Sequence, residues 1–176
     1  MAKHISLREF QQALAARLAA AGAETAPHAR LGVQAGGRLW LIRLDEAGEV
    51  LPLPAVTPVP LTRPWFLGLA NIRGNLACVV DFAGFMGEPP TERLPDRRLV
   101  LVAERFDAHS GLVVARMMGL RNIHQLEAED SGVDAEEGGA DRPWIRGAFR
   151  DPEGRRWYEL DIGLLVAHGD FLRAGL

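Results

Sequence analysis

The sequence predicts a mainly-β protein built from two similar modules. Three observations predict it. Beyond residue 29 the apolar runs have strand length and are broken at short intervals by Gly and Pro. A six-residue pattern occurs twice, as Arg63-Pro64-Trp65-Phe66-Leu67-Gly68 and as Arg142-Pro143-Trp144-Ile145-Arg146-Gly147. Helical periodicity is confined to the two ends of the chain.

The first element is a helix over about Leu7–Ala21. Ser6 and Glu9 have the spacing of a capping box, and Ile5 with Phe10 that of a hydrophobic staple. Phe10, Leu14 and Leu18 share one face, and Gly22 is a suitable stop. Residues 22–29 read as a linker, so 1–29 form a helical appendage. Leu31–Val33 and Arg38–Ile42 flank Gly36-Gly37, a hairpin signal. Glu49–Leu51 is a short strand. Pro52, Pro54, Pro58 and Pro60 follow, which leaves only an extended edge or loop there. Leu67–Ile72 and Leu76–Phe82 flank Arg73-Gly74-Asn75, a second hairpin. Further strands are expected at Leu99–Ala103, Leu112–Met118, Arg121–Leu126, Ile145–Phe149 and Arg156–Leu160. A short helix is expected near Ile162–His168.

The repeat extends past the hexapeptides. Each is followed by a strand, a turn, a strand and an Asp, namely Asp81 and Asp161. Two β-modules are therefore expected within residues 30–173, roughly 30–95 and 96–173. A module of that size has a marginal core, so the two should pack on each other. Residues 127–141 stand apart, with seven acids and no Lys or Arg. They read as a solvated loop.

Composition narrows the function. The chain has 176 residues, 48% hydrophobic and 24% charged, which is ordinary for a globular domain. No apolar run is long enough to span a membrane, and no secretory signal is apparent, so a cytoplasmic protein without membrane insertion is expected. One cysteine suits a reducing compartment. The net charge of −3 argues against a nucleic-acid partner. The five histidines, His4, His28, His109, His124 and His168, have no helical pairing, so no metal or other cofactor is expected. Cys78 lies within an apolar strand and reads as a small buried side chain. Asp81 and Asp161 precede helical turns and read as N-caps more than as a catalytic carboxylate pair. Trp65 and Trp144 hold matching repeat positions, which argues for packing over base stacking. Arg73 at a hairpin tip is of most interest, because the matching tip at residues 150–154 differs. A solvated turn arginine and a functional one both fit this position.

Residues 65–75 and Val79-Val80-Asp81 resemble the G-x-x-N-x-R-G … V-x-D signature of the CheW-like chemotaxis coupling proteins. The likeness covers about residues 30–170, with Leu99–Ala103 and Gly111–Val114 similar to the family's next strand pair. Pro64-Trp65, Gly84–Gly87, Arg142–Phe149 and Asp170–Leu172 resemble the PilI branch, which serves twitching motility driven by type IV pili. The resemblance implies two packed five-stranded SH3-like β-barrels and a scaffold rather than an enzyme. It implies two partners: a methyl-accepting chemoreceptor of the PilJ type and a CheA-like histidine kinase of the ChpA/PilL type. It also implies recruitment to membrane-associated receptor arrays. The family's motif arginine falls on Arg73, with Asn71, Gly74 and Asn75 around it, and the acid that partners it falls on Glu49. A carboxylate could take that guanidinium bidentately. A double-barrel module for another ligand, such as nucleic acid, would instead show a continuous basic face. A hydrolase would show Asp81 and Asp161 close together in a pocket.

Overall fold

The computed structural model describes residues 28–129 and 142–176. The expected N-terminal helix lies outside them. The strands are β1 (Ala29–Ala35), β2 (Arg38–Arg43), β3 (Ala47–Pro52), β4 (Phe66–Ile72), β5 (Asn75–Asp81), β6 (Arg98–Val102), β7 (Ser110–Val114), β8 (Arg116–Asn122), β9 (Glu127–Ala128), β10 (Ile145–Arg150) and β11 (Arg156–Leu160). Helix α1 (Phe82–Phe85) follows β5, and α2 (Ile162–Ala167) and α3 (Gly169–Leu172) follow β11. The strands form two sheets, in the orders β8-β1-β2-β11-β10-β9 and β3-β6-β7-β5-β4.

The two repeats are interleaved. The first repeat places its opening hairpin, β1–β2, in one sheet and then sends β3, β4 and β5 to the other. The second repeat does the reverse: β6–β7 join the first repeat's strands, and β8, β10 and β11 join the opening hairpin. Each exchange is sealed by a parallel pairing, β2 with β11 and β5 with β7. The sheets therefore do not divide as 30–95 and 96–173. A cut there would separate each hairpin from the strands it pairs with.

Three local expectations change as well. Leu112–Met118 is not one strand. The chain leaves one sheet after Val114 and enters the other at Arg116, and the N–H of the intervening Ala115 donates to the Gln34 carbonyl at 2.8 Å. The apolar run continues through the switch because both sheets bury this segment. Arg121–Leu126 is the end of β8 followed by a 3₁₀ turn, Ile123–Gln125, capped by Asn122. The acidic segment is exposed at Glu127 and Ala128 but does not begin as a loop. Glu127–Ala128 pair with β10, and Glu129 receives both Arg150 and Arg156 at 2.6 Å. Two guanidinium groups neutralise this acid and hold the strand in place.

The repeat is visible in backbone contacts. The Asp81 N–H donates to Trp65 O at 2.8 Å, and the Asp161 N–H to Trp144 O at 2.7 Å. Both carboxylates cap the helix that follows, accepting from the N–H groups of Gly84 and Leu164. Their remaining partners differ: Thr91 bonds Asp81, and Arg146 bonds Asp161.

A large core fills the space between the sheets, with Trp40, Phe82, Leu112, Leu160, Ile162 and Leu165 fully buried. A smaller core of Ala70, Val79, Leu99 and Val113 lies against the other face of the five-stranded sheet. Leu53 and Val56, from the Pro-rich segment, cover it. That segment crosses to the far edge of the sheet, where Thr57 and Leu69 exchange hydrogen bonds of 2.8 and 2.9 Å. The crossing closes the sheet on itself. It requires Gly68, whose φ is +131° and whose added Cβ would fall 2.1 Å from the Thr57 carbonyl oxygen.

Two predictions follow from this packing. Gly68→Ala should lower stability by about 1–3 kcal/mol in denaturant unfolding, because the clash is with main chain that cannot rotate away. An unchanged midpoint would show that the Thr57–Leu69 bridge is dispensable. The second concerns the buried Asp151 turn between β10 and β11. Burial opposes its ionisation, but the Trp157 indole, the Arg155 main-chain N–H and the Arg155 guanidinium outweigh it and hold the carboxyl at about 2. The folded value lies below the ordinary 3.8. The turn's contribution is thus complete above about pH 4 and is lost as the pH falls toward 2. Asp151→Asn should flatten that part of the stability profile. A variant whose acid limb overlays the wild type would contradict the assignment.

Candidate functional site

The expected site residues lie at one end of the closed five-stranded sheet. Ile72 pairs with Asn75, so the β4–β5 connection is a two-residue turn of Arg73 and Gly74. Both have positive φ, 53° and 90°. That combination matches the twist of a tight hairpin. The Asn71 side chain accepts from the Gly74 N–H at 2.8 Å and fixes the turn. Gly74 has no neighbour that a Cβ would strike, so its role is conformational. Arg73 is held in a left-handed conformation that costs an ordinary side chain about 1 kcal/mol or more.

The Arg73 Nη2 donates to Glu49 Oε1 at 2.6 Å. The contact runs through one nitrogen rather than a bidentate fork. Glu49 lies on β3 and Arg73 beside β4, at opposite edges of the sheet order, so the pair spans the closure. Glu49 is largely covered, whereas the Arg73 side chain is 76% exposed. Such a pair contributes little to stability, typically ~0–1 kcal/mol. Most of the guanidinium remains available to something outside the chain.

The pair borders a groove of about 380 Å³. Ile72, Leu76, Leu101 and Ala108 give it apolar walls, and Asn75, Asp107 and His109 give it polar ones. Leu76 is 60% exposed. Sequence reasoning missed Leu76, Leu101 and the 107–109 loop. The available signal was an apolar residue just after a turn, where a polar one is usual. Four non-glycine residues among those described have positive φ: Leu61, Arg73, Asp107 and His109. Three of the four line this groove.

A second groove, about 690 Å³, runs between the five-stranded sheet and the C-terminal helices α2 and α3, and shares Asp107, Ala108 and Ser110 with the first. Phe66, Cys78, Val80, Phe106, Val166 and Phe171 give it an apolar floor. Burial raises the Cys78 thiol above its ordinary value, the opposite of an activated nucleophile. Asp81 and Asp161 are held as helix caps by separate partners and do not form a catalytic pair. Among the described residues no His, Cys, Asp or Glu cluster could hold a metal, and no helix is long and apolar enough to cross a membrane.

Fold and site together define a two-sheet β protein with an exposed, strained edge at the Arg73 turn. The chain belongs to the CheW-like family, whose domain profile matches residues 30–170; it is a family of scaffolds and not of enzymes. It is 33% identical to protein PilI of Pseudomonas aeruginosa over 81% of this chain and 77% of that one. It is 25% identical to the chemotaxis protein CheW of Thermotoga maritima over 70% of this chain and 77% of that one. The crystal structure of the scaffolding protein CheW from Thermoanaerobacter tengcongensis superposes with a TM-score of 0.63. That match covers 82% of this chain and 95% of the other at 16% identity, a likeness of fold.

The geometry makes one prediction about Arg73 itself. Replacing it by Gly relieves the left-handed strain and loses the exposed ion pair, so Arg73→Gly should stay within about 1 kcal/mol of wild-type stability. A loss beyond roughly 2 kcal/mol in denaturant unfolding would show that the guanidinium holds the barrel closed.

Proposed function

We propose that this protein is a cytoplasmic adaptor that couples a methyl-accepting chemoreceptor to a histidine kinase in a chemosensory pathway controlling type IV pilus twitching motility. It is recruited to receptor arrays at the membrane by its partners. The observation that carries the reading is the clustering of strained, exposed residues around the Arg73–Glu49 groove. A turn that stores strain to present a cation is of use to binding, since the folded body gains nothing from it. The likeness to PilI supports the branch, and membership of a scaffold family supports the class. Arg73 and Glu49, on the turn built by Asn71 and Gly74 and followed by Asn75, contact the receptor in this reading.

The test is receptor-dependent kinase activity in a reconstituted array of receptor membranes, kinase and adaptor. Arg73→Glu should leave the melting temperature nearly unchanged and cost about 2 kcal/mol or more of coupling, roughly 30-fold in the adaptor concentration required. The exchange Glu49→Arg with Arg73→Glu restores the internal pair but not the charge the receptor meets, so it should remain deficient. Normal coupling by Arg73→Glu would remove these residues from the interface.

A further inference from the structure

The larger groove, about 690 Å³ between the five-stranded sheet and helices α2 and α3, is lined chiefly by apolar side chains. Phe66, Cys78, Val80, Phe106 and Phe171 face it, and Leu172 on its rim is 69% exposed. Ala108, Gly163, Ala167 and Ala174 also line it, and residues this small put no bulk in the way of a second element. An apolar concavity of this kind on a globular body is a place where another segment of chain binds.

We propose that the apolar face of residues 7–21 of this same chain occupies the groove. Those residues lie outside the described ones, and their reading as a helix rests on the capping box and staple at Ile5–Phe10. On such a helix Phe10, Leu14 and Leu18 share one face, with Leu7 and Ala21 beside them and Gln12 opposite. A helix of that length would extend about 22 Å and be marginal alone in water, so its apolar face needs a surface to cover. The described chain begins where it can supply one. His28 precedes by two residues Arg30, which pairs with Arg43 at the end of β2. Arg43 and Arg105 both donate to Asp45, at 3.2 and 2.8 Å, and Arg105 lines the groove. The start of β1 and the Arg105 side of the groove are therefore neighbours. Residues 22–27 between the two reach about 20 Å when extended. A tether this short holds the segment at an effective concentration in the millimolar range, so a modest apolar contact suffices. The segment then lies against Asp107, Ala108 and Ser110, the wall shared with the Arg73 groove. The inference needs no partner and stands whatever the Arg73 edge binds.

Cys78, the one cysteine of the chain, lines the groove on the same face of β5 as Val80 and reports on the occupant. In the dilute full chain under a mild oxidant, Leu14→Cys should form a disulfide with Cys78 within one molecule. Gln12→Cys, on the opposite face, should not. Phe10→Gln combined with Leu14→Gln and Leu18→Gln keeps helix-forming residues but removes the apolar face. That variant should raise the rate at which Cys78 reacts with a soluble aromatic disulfide at least about tenfold at fixed pH, because reaction requires access. No cross-link from Leu14→Cys, equal cross-linking from Gln12→Cys, or an unchanged Cys78 rate would overturn the proposal. Cross-links that join two molecules in place of one would overturn it too, and would assign the groove to a second copy of the chain.

Discussion

The structure depends on where the chain crosses from one sheet to the other. The β2–β3 crossing passes through Glu46, a carboxylate that is 2% exposed. Its main-chain oxygen accepts from Ala103 N at 3.0 Å, next to β6, and its Oε2 accepts from Ile162 N at 3.0 Å, at the start of α2. Arg146, Arg43 and Arg105 surround its other oxygen at 3.5 to 3.9 Å. One residue thus touches both repeats and both sheets. Burial raises its pKa, as does the charge of Asp161, against the opposing pull of the Ile162 N–H and the arginines. A charge in this position is tolerated only because those donors converge on it.

Interleaving explains why a small two-sheet protein can act as a rigid platform. Neither sheet is assembled from one repeat alone, so separating the repeats would break the parallel pairings β2–β11 and β5–β7. The Arg73–Glu49 edge sits on this frame. The Pro-rich segment closes the five-stranded sheet, and the closure sets Glu49 against Arg73. Strain in the Arg73 turn and in the 107–109 loop persists because the surrounding sheet over-determines those positions.

Much of this was legible in the sequence. The hairpins at Gly36-Gly37 and Arg73-Gly74, the capping roles of Asp81 and Asp161, and the C-terminal helix all follow from local chemistry that survives folding. The repeat was legible, but the exchange of hairpins between repeats was not. Periodicity shows which residues are buried and not which sheet buries them, so Leu112–Met118 read as one strand although it serves two. Arg73 and Glu49 were found through a family motif; their 24-residue separation carries no local signal. Residues 127–129 read as loop because a charge run gives no local sign of strand pairing or of Glu129's distant partners, Arg150 and Arg156.

The central claim is that one small body holds two different partners at once. Affinity capture of the tagged full chain from its native cell, followed by identification of what co-purifies, tests it most directly. The account predicts that a methyl-accepting receptor and a histidine kinase are both recovered, and that neither is recovered with the other when this chain is absent. Recovery of neither partner, or a receptor–kinase complex that forms equally well without the chain, would contradict it.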